Sequence, residues 1–153
     1  MDHAWEFPSI LWAATVVGVC ALALWRGGPD EKLAAGGLLV GWTLTRTVYQ
    51  FKGEQTEWGI AGVDLALLAL LVYIALRSRR YWPLFAAGFH LLAVVTHLAR
   101  GLDPRVGGWA YITAEIIWGY LLAITIGLGA WKARERQLAA ETPAIADPGA
   151  TRR

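Results

Sequence analysis

Apolar residues in this chain gather into five runs separated by short polar breaks: Pro8 to Trp25, Leu33 to Phe51, Trp58 to Leu76, Trp82 to Ala99 and Trp109 to Trp131. A helix needs about 20 residues to cross the hydrocarbon core of a bilayer, and a backbone inside lipid must satisfy its own hydrogen bonds, so runs of this length predict spanning helices. The second run departs most from the pattern. Only Leu33 to Thr45 is free of charge there, and Gly36, Gly37 and Gly41 lower its helix propensity. Short connections make neighbouring helices antiparallel in one compact unit. The predicted fold is therefore an all-α membrane protein, a compact bundle of five transmembrane helices within residues 1–131. Beyond it, residues 132–153 turn polar, with an amphipathic start from Lys132 to Ala140 and then Pro143, Pro148 and Gly149. This composition predicts a disordered tail whose basic residues face anionic lipid. No internal repeat is visible, which disfavours an inverted-repeat transporter unless a dimer supplies the symmetry.

Charge orients the bundle. With five spans, one side holds Arg26, Lys32, Arg77, Arg79, Arg80, Lys132, Arg134, Arg136, Arg152 and Arg153, and the other keeps Arg46, Lys52, Arg100 and Arg105. Were the second run not to cross, Arg26 and Lys32 would change sides and the bias would nearly vanish. Basic residues accumulate on the cytoplasmic side, so the expectation is an N-terminus outside and a C-terminus in the cytoplasm of a bacterial inner membrane. Tryptophans agree: Trp5, Trp58 and Trp109 fall at the outer boundary, and Trp25, Trp82 and Trp131 at the inner one. Composition excludes a soluble domain, since 56% of the 153 residues are hydrophobic and only 17% charged. Ahead of the first run stand Asp2 and Glu6 without Lys or Arg, and no small-residue cleavage site follows it, so that span is expected to stay uncleaved. A lone Cys20 in mid-span allows no internal disulfide, thiolate metal cage or CxxC pair.

Arg46, Asp64, His97 and Glu115 each interrupt a different apolar run. Charged side chains at the bilayer centre cost about 2.5 to 3.5 kcal/mol each on insertion scales, so they persist where they are paired or functional. Asp64 lies six residues below Trp58 and Glu115 six below Trp109, about 9 Å down by helical rise, and Arg46 and His97 fall near the same outer level. His90 sits two turns deeper on the face of His97, which Ala86, Ala87, Ala93 and Val94 also line. Small residues there permit close helix approach and shield the imidazoles from lipid. One reading is a structural network, with Arg46 neutralised by Asp64 or Glu115 and the histidines bonded to Thr43, Thr45, Tyr49 or Tyr111. The other is a site open to the outer surface, in which the excess carboxylate binds a proton, a cation or a cationic ligand. Tyr49, Tyr111 and Trp118 are the candidate ligand-lining residues.

No metal site is expected, because the His90–His97 spacing separates the rings by about 10 Å along the axis. A bis-histidine haem meets the same obstacle, as the third histidine, His3, precedes the first span. Quinone binding near His97, Tyr111 and Trp118 is conceivable, but nothing in the pattern demands a cofactor. For helix packing, Gly37 and Gly41 form GxxxG in the second run, and Gly119, Ala123 and Gly127 repeat small residues along the fifth. HExxH, GxSxG and phosphate-cradling glycine motifs are absent, so no enzymatic activity is expected. Arg77, Arg79 and Arg80 read as a topology anchor and not as a nucleic-acid contact. The stretch Arg79 to Arg100, RRYWPLFAAGFHLLAVVTHLAR, resembles a segment of small uncharacterised multi-pass inner-membrane proteins of proteobacteria, a likeness that covers one span and implies no activity. The expected function is an accessory or assembly subunit of a larger membrane complex, with a membrane-protein partner or a second copy beside it in the bilayer. The alternative is a small proton- or cation-linked transporter or ligand-binding protein using Asp64 and Glu115.

Overall fold

A computed structural model describes the backbone of residues 6–50, 56–103, 105 and 107–146, and the side chains of residues 10–47, 59–103, 105 and 107–139. His3, Trp5, Tyr49, Lys52 and Trp58 therefore fall outside the described side chains. Five helices follow one another: α1 (Glu6–Arg26), α2 (Pro29–Gln50), α3 (Thr56–Arg77), α4 (Trp82–Leu102) and α5 (Gly108–Ala146). Three stretches, Gly59–Arg77, Trp82–Leu102 and Gly108–Ala139, are long and apolar enough to cross a membrane. That marks the protein as membrane-embedded. Ile10–Arg26 is a shorter apolar helix, and α2 carries Asp30, Glu31, Lys32 and Arg46 within its 22 residues.

Each helix contributes one buried stripe at the spacing that returns a residue to the same face. Val16, Cys20 and Ala23 form it on α1, Ala34, Ala35 and Leu38 on α2, and Leu67, Leu71 and Ile74 on α3. On α4 the inward face is Pro83, Ala86, Ala87, His90, Ala93 and Val94. On α5 it is Leu122, Ala123, Ile126, Ala130 and Ala133. Sequential helices pack on one another, and α5 closes the ring against α1 while also touching α2. The remaining faces present leucine, isoleucine and valine outward, including Leu76, Val95 and Ile124, as lipid-facing surfaces do.

Small residues set the close approaches. A methyl group at Gly37 would collide with the Leu70 side chain, and one at Gly41 would sit 3.6 Å from Leu67, so the GxxxG of α2 packs on α3. Gly119 lies against Trp12 and Gly127 against Val19, which seats the small stripe of α5, with fully buried Ala123, on α1. The link between α1 and α2 is only Gly27 and Gly28, and a side chain at Gly27 would strike the Ala23 carbonyl and come 2.7 Å from Glu31 Cβ.

Two features differ from the sequence expectation. Helix α5 does not end at Trp131 but continues to Ala146, so the segment expected as a disordered tail is helical at least that far. Alanine, glutamate and arginine favour helix there, Ala133 is buried, and the Arg136 guanidinium lies 3.7 Å from Glu31. Trp82 is the second: at the head of α4 its indole is turned inward, packing over Gly129 and donating its N–H to Glu31 at 3.1 Å.

Candidate functional site

Asp64, His90, His97 and Glu115, drawn from α3, α4 and α5, meet in one cluster. Six intervening residues separate the two histidines along α4, yet both reach Asp64, because the carboxylate and its own main chain offer acceptors at different heights. His90 Nε2 lies 3.0 Å from the Asp64 carbonyl oxygen and 3.8 Å from Oδ1. His97 Nε2 lies 2.8 Å from Asp64 Oδ2 and 3.4 Å from Glu115 Oε2. On the other side of the ring, His97 Nδ1 is 2.7 Å from the Tyr111 hydroxyl. These contacts order one tautomer of neutral His97: the Tyr111 O–H donates to Nδ1, and Nε2–H donates to Asp64. A second proton on His97 would turn the Tyr111 hydroxyl into an acceptor. Two carboxylates thus converge on a single imidazole N–H, and the far Glu115 oxygen, Oε1, is buried with no hydrogen-bond partner among the described residues.

Arg46 is not part of this cluster. Its side chain is exposed, with the guanidinium 5.6 Å from the centre of the Trp42 ring. Helix geometry explains the divergence from the expected ion pair. Gly41 fixes the face of α2 that meets α3, and five residues further on the helix has turned about 140° away. Thr45, four residues on, keeps the inward face, and Thr43 spends its hydroxyl on the Leu39 carbonyl of its own helix. Trp118 is partly buried, its indole N–H without a partner among the described residues.

The cluster lines a cavity of about 600 Å³ to which all five helices contribute. Trp12 of α1, Trp42 of α2 and Tyr120 of α5 also line it, together with Leu38, Leu67 and Leu122. Trp12 and Tyr120 meet edge to face, their ring centres 5.2 Å apart. The lining residues Leu11, Ile112 and Ile116 remain substantially exposed, which places the opening between α1 and α5. Among the lining residues stand two carboxylates and no lysine or arginine. Two cations stand just outside the lining: Arg100 lies over the Tyr111 ring, 4.9 Å from its centre, and Arg46 lies 5.6 Å from the centre of the Trp42 ring.

No protein-family model, curated protein or solved structure matches this chain. Its chemistry must be read from its own residues. Among the described residues no three His, Cys, Asp or Glu side chains are disposed to hold a metal ion.

A second polar cluster, at the opposite end of the bundle, escaped sequence reasoning altogether. Glu31 is completely buried. Its Oε1 accepts from Arg80 Nη1 at 2.5 Å and from the Trp82 indole, and its Oε2 accepts from the Gly28 N–H at 3.0 Å. A glutamate in the first turn reaching back to the residue before the helix is half of a capping box, and the run Gly28-Pro29-Asp30-Glu31 carried that signal. What the run did not reveal is that Arg80 and Arg136 would converge on the same carboxylate from the α3–α4 link and α5.

Proposed function

We propose that the protein spans a bacterial inner membrane five times, N-terminus outside, and binds a lipophilic organic cation in the cavity between its helices. The supporting observation is the makeup of that cavity: two carboxylates and two imidazoles, aromatic and aliphatic side chains around them, and no lysine or arginine in the lining. Carboxylates gathered in an apolar bundle call for a positive charge, either a proton or a ligand. An organic cation meets Asp64 and Glu115 and the rings of Trp12 and Tyr120, where cation–π attraction adds to burial. The opening beside α1 and α5 faces the apolar belt, the route by which a lipophilic ligand arrives. Five crossings are supported by the ring of contacts that seats α1 and α2 beside the three long apolar helices, together with the skewed distribution of basic residues.

The test uses purified protein in neutral detergent, titrated with tetraphenylphosphonium and, as an uncharged comparator of similar build, triphenylphosphine oxide. Tryptophan fluorescence reports occupancy beside Trp12 and Trp42. The expected result is saturable quenching by the cation and at least about tenfold weaker binding to Asp64→Asn and Glu115→Gln, an effect of about 1.4 kcal/mol. Equal affinity of wild type and both folded variants, or equal affinity for the neutral comparator, would sink the proposal.

A further inference from the structure

The end of the bundle that holds Glu31 contains a second cavity, of about 660 Å³, between α4 and α5. It has a divided character. Arg79, Arg80, Lys132 and Arg136 surround its mouth, whereas Phe85, Phe89 and Leu128 form the walls beneath. Thr125, also in the wall, turns its hydroxyl back to the Leu121 carbonyl at 2.7 Å and so offers its methyl group. Phe85 and Leu128 are more than half exposed, at 61% and 57%, so the apolar part opens sideways onto the lipid-facing surface.

Charge at the mouth is unbalanced. Four cations face it, and the carboxylate in contact with them is Glu31, which lies wholly buried behind Arg80 and Arg136. Glu135, next in sequence to Arg136, is bonded to the Trp131 indole at 2.9 Å. Glu31 thus orients the Arg80 guanidinium by a hydrogen bond and draws that of Arg136 to 3.7 Å, and Arg79 and Lys132 stand exposed beside them. Fixed arginines match the oxygen geometry of a phosphate, whereas lysine supplies a point charge. From Lys132 down to Thr125 the α5 wall runs seven residues, about 10 Å by helical rise. That depth suits the first segment of an acyl chain below a headgroup.

We propose that this groove is a binding site for one anionic phospholipid. The phosphate rests between Arg79 and Lys132 with Arg80 and Arg136 behind it, and one acyl chain follows Phe85, Phe89 and Leu128. A soluble acidic peptide would satisfy the cations and leave the apolar walls unmatched; a phospholipid satisfies both.

Native mass spectrometry of the full chain in neutral detergent, titrated with phosphatidylglycerol or phosphatidylcholine of the same acyl chains, tests the site. One phosphatidylglycerol is expected to be retained with about tenfold preference, as surface cations each favour anionic lipid. The double substitution Arg79→Gln with Lys132→Gln is expected to abolish that preference. Arg77→Gln with Arg134→Gln removes equal charge outside the groove and is expected to preserve it. Leu128→Trp keeps every cation and fills the apolar channel, and it too is expected to lose the retained lipid, which separates a seated acyl chain from a charged surface. Equal retention of both lipids, loss in the charge control matching that in the groove variant, unchanged retention in Leu128→Trp, or displacement by glycerol 3-phosphate at lipid-equivalent concentration would each overturn the proposal.

Discussion

Replacing Glu31 by alanine removes the acceptor shared by α2, the α3–α4 link, α4 and α5. The carboxylate has no solvent exposure, while the Arg80 and Arg136 side chains are 34% and 48% exposed. Breaking a buried ion pair by deleting one partner costs about 3–5 kcal/mol when the orphaned charge stays buried. Here both guanidinium groups can turn toward water, which recovers much of that penalty. The Trp82 indole and the Gly28 N–H also lose their acceptor, each at about 1 kcal/mol or somewhat more. The expected destabilisation of Glu31→Ala is therefore about 3 kcal/mol, and of Glu31→Gln, which keeps a carbonyl for Trp82, about half that. Unfolding in mixed micelles by titration with a denaturing detergent, followed by far-ultraviolet circular dichroism, measures both. A double-mutant cycle with Arg80→Gln isolates the pair, with about 1–2 kcal/mol of coupling expected. An alanine variant within about 0.5 kcal/mol of wild type, the range of ordinary surface substitutions, would refute the view that this carboxylate ties four segments together.

Tyr111→Phe removes the hydroxyl that bonds His97 Nδ1; about 1 kcal/mol of stability should go with it, and nitrogen-15 NMR should show the Nδ1 resonance shifted while the proton stays on Nε2 facing Asp64, an unchanged spectrum counting against the hydrogen bond. Arg46→Gln should cost no more than about 1 kcal/mol in the same unfolding assay, the worth of an exposed cation–π contact, whereas a loss above about 3 kcal/mol would reveal a buried carboxylate partner. Gly119→Leu forces bulk where even a Cβ would lie 3.0 Å from Trp12. Overpacking of that kind should cost about 1–3 kcal/mol and narrow the cavity, so phosphonium binding should weaken along with stability; unaltered affinity would place the ligand elsewhere.

How far the sequence could be read depended on whether a feature is local. The face of α4 was legible because Ala86, Ala87, Ala93 and Val94 flank two histidines at helical spacing, and all of them are inward or buried beside His90. The packing roles of Gly37, Gly41, Gly119 and Gly127 were legible for the same reason, as each meets a side chain of a neighbouring helix. Depth counted from the helix ends brought Asp64, His97 and Glu115 to one level. Depth alone carries no azimuth, however, which is how Arg46 was drawn into a network that its helix turns away from. The axial distance between His90 and His97 argued against one ion taking both rings; spacing could not reveal that one aspartate, presenting a carbonyl and a carboxylate at two heights, would meet both. Glu31 was illegible for a different reason: flanked by Asp30 and Lys32 it reads as part of a solvated break, and only the folding of α5 past Trp131 places Arg136 above it. The aromatic walls of the cavity, Trp12, Trp42 and Tyr120, were hidden among nine tryptophans and five tyrosines, most of them suited to membrane boundaries.

The account turns on the claim that the space among the five helices is a binding site for an organic cation. Photo-cross-linking with a benzophenone-bearing phosphonium, followed by peptide mass spectrometry, examines it most directly. Adducts on Trp12, Trp42 or Tyr120 that disappear under excess tetraphenylphosphonium are the predicted result. Adducts confined to outward residues such as Leu76, Val95 or Ile124, with those three aromatic residues unlabelled, would contradict it.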